Sequence, residues 1–277
     1  MSTIANKDVI IAYESRGAGT PIVLLMGLGL PGMVWHDLAE RLVEEGFRVI
    51  IPDNRGTGHS DVPSPPYSMR EMADDVALIL DAEDVGKAIV CGVSFGGMLA
   101  QHVALNHPDR VCGLLLAATT CGVPTGRFPT LHAIYLLLKM VFASTTVTLD
   151  EAQRLFAHPE SRERLPALFE RWRLILDELP TPPRAIIGQL LAAAVHRTGR
   201  ELHRIKVPAF VVTGDSDFLI RPENSEILAR LLPRGTLCVI PKSGHIFIHE
   251  HPDSLLDCIK SLREAIGLRG GDRNPCK

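Results

Sequence analysis

Apolar runs of strand length alternate with amphipathic segments along most of the chain, and this alternation restricts the fold more than any other feature. Seven runs have the length and composition of buried strands, and five longer segments repeat apolar residues at helical spacing. Such alternation is typical of an α/β protein, in which helices cover both faces of a parallel sheet. The predicted strands cover 9–13, 22–26, 48–52, 88–93, 111–117, 209–213 and 236–240, and the predicted helices cover 33–45, 69–80, 97–106, 223–232 and 254–266.

The alternation stops between residues 126 and 204, where the chain has helical patterns, six prolines and no run that predicts a strand. Helices are predicted there at 131–142, 151–158, 165–179 and 185–195. An insertion of this kind predicts a helical cap over one edge of the sheet. We therefore predict an α/β core at 1–125 and 205–268, a helical cap at 126–204, and a disordered tail at 269–277 that has little to bury.

Composition limits the class of protein. With 46% hydrophobic residues the chain can bury a full core, and its 277 residues fit one large domain with an insertion. The net charge of −3 offers no basic stripe for a phosphate backbone, so we expect no nucleic-acid partner.

No run approaches the ~18 apolar residues of a membrane span, and the N-terminus lacks the pattern of a signal peptide. We expect a cytoplasmic protein without a membrane partner.

Cysteines and histidines are the residues that would most readily hold a metal. The six cysteines are scattered without a C-x-x-C pair, and we expect reduced thiols that pack like small apolar residues. The spacing of His245, His249 and His251 would suit a metal if the segment were helical, but Gly244 and Pro252 favour a loop. The chain also lacks the glycine-rich motifs that bind nucleotides. We therefore predict no metal and no cofactor.

A G-x-S-x-G motif at residues 92–96 predicts a nucleophile. The motif follows the buried run Ala-Ile-Val-Cys and precedes a helical pattern, so Ser94 is expected at a strand-to-helix turn. Small residues suit such a turn because its backbone is strained and neighbouring segments approach closely, and Gly92, Gly96 and Gly97 meet that need. The hydroxyl of Ser94 would project from the sheet edge, where it needs a base to become a strong nucleophile.

His245 is the predicted base and Asp217 the predicted acid. In the chain order serine, acid, histidine, the base comes last, and His245 follows the last predicted strand. Asp215 and Asp217 both follow the strand at 209–213. The 28 residues from Asp217 to His245 allow one helix and one strand, which would bring both side chains to the same sheet edge. Asp215 remains the alternative acid, and its other role would be to close the turn.

An oxyanion formed on a substrate needs two backbone donors. The amide of Phe95, next to the nucleophile, would be the first donor. The second would be the amide of Leu28, in the glycine-rich turn that follows the strand at 22–26. Four neighbouring residues are predicted to contact the substrate: Gly27, Gly29, Leu30 and Met33.

Four blocks of residues, in their order and spacing, resemble the α/β-hydrolase fold family over nearly the whole chain. The blocks are Met26-Gly27-Leu28-Gly29, Asp53-Asn54-Arg55-Gly56-Thr57-Gly58-His59-Ser60, the motif at 92–97, and Gly214-Asp215-Ser216-Asp217 with Gly244-His245 and Glu250-His251-Pro252. The resemblance implies that Ser94, Asp217 and His245 form a catalytic triad. It also implies that Leu28 and Phe95 donate to the oxyanion.

One departure from the family concerns the first block. Many members have His-Gly where this chain has Met26-Gly27, but the oxyanion donor is a backbone amide and should survive the change. This Met-Gly variant, followed by Gly-Met-Val-Trp, is similar to the aclacinomycin methylesterase type of esterase.

The resemblance implies a serine hydrolase that cleaves a carboxylic ester or lactone through an acyl-enzyme intermediate. The apolar helices of the predicted cap favour an uncharged, medium-sized hydrophobic small molecule as the substrate. Two alternatives stay open. The same triad could serve C–C bond hydrolysis or cofactor-free perhydrolysis, or the fold could be a non-catalytic ligand-binding module, because fold alone does not fix function.

Overall fold

One sheet of eight strands forms the centre of the protein, whose computed structural model describes residues 1–142 and 149–267. The strands are β1 (Ser2–Asn6), β2 (Val9–Arg16), β3 (Thr20–Leu25), β4 (Phe47–Pro52), β5 (Ala88–Val93), β6 (Val111–Ala117), β7 (Ala209–Gly214) and β8 (Gly235–Ile240). Their order across the sheet is β1-β2-β4-β3-β5-β6-β7-β8. Strands β3 to β8 run parallel, and β2 is antiparallel to both of its neighbours.

Helices cover both faces of this sheet. They are α1 (His36–Glu44), α2 (Met69–Ala82), α3 (Phe95–Asn106), α4 (Leu131–Phe142), α5 (Leu149–Phe156), α6 (Pro166–Glu178), α7 (Pro183–Ala194), α8 (Glu223–Leu231), α9 (Phe247–Glu250) and α10 (Pro252–Ala265), with a short 3-10 helix at Gly32–Trp35. Along β3, Val23 and Leu25 belong to the core cluster on the face that α2, α3 and α8 cover. Ile22 and Leu24 belong to the cluster on the opposite face, which α1 and α10 cover. Alternate side chains of a strand point to opposite faces, so a strand covered on both sides is apolar throughout. The predicted α/β fold is confirmed.

The seven predicted strands all occur, but the prediction missed β1. This strand pairs antiparallel with β2 at the edge of the sheet, and most of its side chains are exposed. An exposed edge strand needs no apolar run, so the sequence Ser-Thr-Ile-Ala-Asn carried no strand signal.

Within the described part of the insertion at 126–204, the structure has four α-helices, α4 to α7, and no strand. The predicted helix at 131–142 has the observed ends. Four helices begin two residues before their predicted starts: α3, α5, α7 and α10. Two of them, α7 and α10, begin at a proline, which fits the first helical turn. The division into core and cap stays a prediction, and the predicted tail at 269–277 lies outside the described residues. None of the described helices combines the length and the apolar character of a membrane span.

The expectation of reduced thiols is wrong for Cys112, which is disulfide-bonded. Four other cysteines, Cys91, Cys121, Cys238 and Cys258, are free. Disulfide formation depends on which two cysteines the fold brings within bonding distance, and the scattered spacing of the cysteines carries no information on that.

Candidate active site

Four loops that carry the predicted site residues lie at one edge of the sheet. They follow β3, β5, β7 and β8, which run parallel and, with β6, are consecutive across the sheet. The strand order reverses between β3 and β5, since β4 lies on one side of this pair and β6 on the other. Open α/β sheets bind ligands at such a point, beyond the carboxyl ends of the strands. Ser94 follows β5, and residues 26–32, called the β3 loop below, follow β3.

Ser94 has a strained backbone conformation in the turn between β5 and α3, with φ 54° and ψ −117°. A non-glycine residue in such a conformation costs about 1–3 kcal/mol and persists only where its surroundings hold it. Here the Ser94 amide donates to the carbonyl of Ala117 at 2.8 Å, and the Ser94 carbonyl accepts from the hydroxyl of Thr119 at 2.7 Å. The neighbouring strand β6 and the residues after it therefore hold the turn.

At the glycines of the motif, neighbouring backbone segments lie so close that a Cβ atom would not fit between them. A Cβ atom on Gly96 would lie 2.1 Å from the carbonyl oxygen of Leu25, and one on Gly92 would lie 2.1 Å from the carbonyl oxygen of Gly96. Both distances are far below van der Waals contact. The small residues at these positions are therefore required by the packing of the turn, as the motif predicted.

Asp217 and His245 form a buried hydrogen-bonded pair. His245 Nδ1 lies 2.8 Å from Asp217 Oδ2, and both side chains are at most 6% exposed. The other oxygen of the carboxylate accepts from the amides of Leu219 and Ile220, at 2.9 and 2.8 Å. Because the carboxylate can only accept, Nδ1 carries the proton and Nε2 is left as the acceptor. This tautomer is the one that a base for a serine hydroxyl needs.

Asp215 takes the turn-closing role that was its alternative. Its carboxylate accepts from the amides of Lys242 and Ser243, at 3.0 and 3.3 Å, and from the hydroxyl of Ser216. The two aspartates of the loop after β7 therefore differ in partner: Asp217 contacts His245, and Asp215 holds the loop after β8.

The loop that carries His245 is fastened to the insertion. Glu250 accepts from the amide of Gly244 at 2.7 Å and, through its other oxygen, from the amide of His158 at 2.8 Å. The Phe156 ring also lies beside the His245 imidazole, with their centroids 6.0 Å apart. The end of α5 and the residues that follow it thus form one wall around His245.

The β3 loop passes close to Ser94, and side chains of the loop after β4 form hydrogen bonds with it. A Cβ atom placed on Gly27 would lie 3.7 Å from the Cβ atom of Ser94. Asp53 accepts from the amide of Gly32 at 2.7 Å, and the side chain of Asn54 donates to the Met26 carbonyl at 3.1 Å. The loop after β4 contains the family block at residues 53–60, and it therefore holds both ends of the β3 loop by hydrogen bonds.

The amides of Leu28 and Phe95 are the candidate oxyanion donors. Neither amide has a hydrogen-bond acceptor among the residues that the structure describes, and the same is true of the Ser94 hydroxyl, which is half-exposed. Of the predicted substrate contacts, Gly27, Gly29 and Leu30 lie in the β3 loop, and Met33 follows it. The side chains of Leu30 and Met33 pack against the core on the α1 side of the sheet. Met33 also lines a narrow crevice with Asp53.

A model of the alpha/beta hydrolase fold family matches residues 20–252 of the chain. The protein belongs to the α/β hydrolase fold family. The match begins at β3 and includes every loop described above, together with the whole insertion. Membership confirms the family that the four sequence blocks resembled.

Several known proteins are similar to this hydrolase over most of its length. A protein of Azorhizobium caulinodans, provisionally named as the carbamate hydrolase RutD, is 31% identical over 89% of this chain and 92% of its own. A thermophilic esterase from Thermogutta terrifontis shares 28% identity with a TM-score of 0.79, covering 93% of this chain and 94% of the esterase. The enol-lactonase from Burkholderia xenovorans has a TM-score of 0.82 at 23% identity, covering 95% and 100%, which shows a shared fold.

The three late histidines of the hydrolase have different surroundings. His249 packs edge-on against Trp172, at 5.3 Å between ring centroids, and burial lowers its pKa to about 4. His251 directly follows the short helix α9, and its Nε2 is 3.5 Å from the carbonyl of Lys242. Within the described residues, no three His, Cys, Asp or Glu side chains converge as metal ligands do. The absence of a metal stays a prediction.

Sequence reasoning missed the contacts that tie the site to the insertion. Glu250 was part of a family block but was given no role, and Gln189 and Thr181, which bond to the β3 loop, were not singled out. Their partners lie between 92 and 160 residues away in the chain. No spacing or motif reports on contacts of that range.

Proposed function

We propose that the protein is a serine hydrolase that cleaves a carboxylic ester or lactone of an uncharged, medium-sized hydrophobic substrate. The observation that carries this proposal is the buried bond of 2.8 Å between Asp217 and His245, at the same sheet edge as the strained turn of Ser94. The esterase name of the Thermogutta terrifontis relative, 28% identical, also favours it.

The proposed reaction begins when the Ser94 hydroxyl attacks the carbonyl carbon of the substrate. The hydroxyl proton passes to His245 Nε2, and the buried carboxylate of Asp217 stabilises the imidazolium that forms. The negative charge on the former carbonyl oxygen would be bound by the amides of Leu28 and Phe95. His245 then gives its proton to the departing alcohol, which leaves an acyl group on Ser94. Water, activated by the same histidine, releases the acid and restores the serine.

Apolar side chains around the site support the hydrophobic preference. The Phe156 ring faces His245, and the Ile186 side chain lies 3.6 Å from the place of a Cβ atom on Gly29. Leu219 and Ile220, just after the predicted acid, pack with the helix α4 of the insertion. A charged group would lose its hydration among such side chains without a partner to replace it.

The acyl chain of the substrate should have an optimum length. Each buried CH₂ group contributes about 0.8 kcal/mol, roughly a fourfold gain in kcat/KM, until the space under the insertion is filled. With p-nitrophenyl esters from acetate to palmitate, we expect kcat/KM to rise from acetate, pass a maximum at intermediate length, and then fall. A maximum at acetate would contradict the hydrophobic site.

A charged substrate of matched length is the control for that series. The p-nitrophenyl monoester of glutaric acid is as long as the pentanoate ester but ends in a carboxylate. We expect its kcat/KM to be at least about tenfold lower than that of the pentanoate, since the carboxylate would be desolvated without a partner. Equal values for the two esters would mean that the acyl group stays in water.

A carbamate is the second candidate substrate, because the relative from Azorhizobium caulinodans carries that name at 31% identity. Its cleavage would need the same nucleophile, base and oxyanion donors. An N-unsubstituted p-nitrophenyl carbamate that is cleaved faster than the best ester would favour it. The C–C bond and perhydrolysis alternatives use the same residues, and no contact among the described residues of the site favours them. The cytoplasmic location and the absence of a cofactor, a nucleic-acid partner and a membrane partner stay predictions.

Replacing Asp217 with asparagine should lower kcat by about 10³–10⁴-fold. An amide can present its NH₂ group to His245, which would favour the tautomer with the proton on Nε2 and remove the acceptor for the serine proton. The matched control is Asp215→Asn in the same loop, whose carboxylate contacts backbone amides. We expect this variant to keep kcat within about threefold of wild type. If Asp215→Asn were the inactive variant, the assignment of the acid would be reversed.

A further inference from the structure

The β3 loop is held by hydrogen bonds at three consecutive peptide groups between Gly27 and Leu30. The Gly27 carbonyl accepts from the Leu30 amide at 3.3 Å. The Gly29 amide donates to Gln189 Oε1 at 2.8 Å, and the Gly29 carbonyl accepts from the Thr181 hydroxyl at 2.8 Å. Two of the three bonds therefore come from the insertion and not from the core.

Gln189 is placed to hold a single orientation. It is fully buried on α7, and its Nε2 donates to the carbonyl of Arg55 at 3.1 Å. Because the amide group is bonded at both ends, a flip would put an N–H against the Gly29 amide and a carbonyl oxygen against the Arg55 carbonyl. Thr181 directly precedes Pro182 and Pro183, whose rings restrict the backbone there.

These bonds determine where the Leu28 amide points. Its N–H belongs to the same peptide group as the Gly27 carbonyl, and the next peptide group is the one held by Gln189. The Leu30 N–H that bonds to the Gly27 carbonyl lies in the peptide group whose carbonyl Thr181 holds. A shift of the groups held by Gln189 and Thr181 would therefore loosen the bond to the Gly27 carbonyl and let the Leu28 N–H tilt. Hydrogen bonds weaken steeply as they depart from linearity, and catalytic groups need to be held within about 10–20°.

We propose that Gln189 and Thr181 are positioning residues that orient the Leu28 N–H toward the oxyanion. The insertion would then take part in stabilising the transition state, in addition to covering the substrate. This inference rests on the proposed serine hydrolase mechanism. Because the oxyanion exists only in the transition state and the tetrahedral intermediates, a misdirected donor lowers kcat and leaves KM nearly unchanged.

The main variant is Gln189→Met, which keeps the size and shape of the side chain and removes both polar atoms. With p-nitrophenyl butanoate, kcat is expected to fall about 10–100-fold, while KM changes less than about threefold. Thr181→Val should show the same pattern with a smaller loss. Thr181→Ser keeps the hydroxyl that Thr181→Val removes, so its kcat should stay within about twofold of wild type.

The inhibition constant of a transition-state analogue is a measurement that should not change if Gln189 has a purely structural role. The Ser94 oxygen adds to the carbonyl carbon of an alkyl trifluoromethyl ketone, and the hydroxyl proton passes to His245. A C–O bond forms, the carbonyl π bond breaks, and its oxygen becomes an oxyanion in the hole. Its inhibition constant for Gln189→Met should rise by the same factor by which kcat/KM falls.

Gln153→Met is the matched control. Gln153 is also a buried glutamine of the insertion, but its Nε2 donates to the carbonyl of Arg162, within the insertion itself. We expect this variant to keep kcat, KM and the inhibition constant within about twofold of wild type. A loss equal to that of Gln189→Met would assign the effect to general loosening of the insertion and overturn the inference.

The outcomes separate this inference from the function on which it rests. An active wild type whose Gln189→Met variant keeps kcat and the inhibition constant within about twofold would overturn the inference alone. A raised KM at unchanged kcat would also overturn it. A wild type that neither cleaves the ester nor binds the ketone would overturn the proposed function and this inference with it. If circular dichroism showed that Gln189→Met does not fold, Thr181→Val and Thr181→Ser would replace it. Their kcat, KM and inhibition constants would then test the inference by the same criteria.

Discussion

Alanine at position 94 is expected to lower kcat by about 10³–10⁶-fold while the protein stays folded. The Ser94 hydroxyl is the atom that would form the acyl-enzyme. It makes no hydrogen bond in the described part of the chain, so its removal should cost the fold little. The measurements are kcat with p-nitrophenyl butanoate and the urea midpoint of unfolding, which should not shift. Labelling with a fluorophosphonate should add mass to the wild type and not to Ser94→Ala.

Ser225→Ala is the control for this substitution. Ser225 lies on α8, is fully buried, and its hydroxyl has no hydrogen-bond partner within the described residues. Its loss should leave kcat within about twofold of wild type, because a serine is removed without removing a nucleophile. Retention of more than about a tenth of the activity by Ser94→Ala would rule out the covalent mechanism, since a missing nucleophile costs orders of magnitude.

His245→Ala is expected to lose a factor comparable to that of Ser94→Ala, about 10³–10⁶ in kcat, because the two residues act as a unit. Without the imidazole the serine keeps its proton, and the leaving alcohol receives none. The carboxylate of Asp217 would remain buried with only two amides as donors, so some loss of stability is expected as well. Added imidazole should restore part of the activity by filling the space of the missing side chain.

The control for the base is His251→Ala in the adjoining segment, where the side chain is half-exposed and its Nε2 lies 3.5 Å from a carbonyl. Activity should stay within about twofold of wild type. Full activity of His245→Ala, or a collapse of activity in His251→Ala with His245→Ala unaffected, would place the base elsewhere.

Much of the fold could be predicted because its signals are local. A strand covered on both faces must be apolar at every position, so β5 and β6 were predicted with their observed ends. The G-x-S-x-G motif could be assigned to a turn because only glycine fits where the backbone of β5 meets that of α3. The edge strand β1 was not predicted, since a strand that faces water can have almost any polar sequence.

Asp217 was predicted as the acid, and Asp215 stayed open as the alternative. The two residues are only two positions apart, so spacing along the chain allows either of them to reach the base. They differ in what each carboxylate contacts: Asp217 contacts His245 and the amides of Leu219 and Ile220. Asp215 contacts amides of the loop after β8. Only packing of the two loops against each other separates them.

Sequence by itself therefore determines the elements, their alternation and the loops on which the reactive residues lie, because periodicity and short motifs act over a few residues. The tertiary structure alone determines which acid meets the histidine, how Cys112 is bonded, and how Gln189 and Thr181 hold the β3 loop. Each of these depends on which groups the fold brings together, and the energy of such a contact depends on a geometry of a few tenths of an ångström that no local pattern encodes.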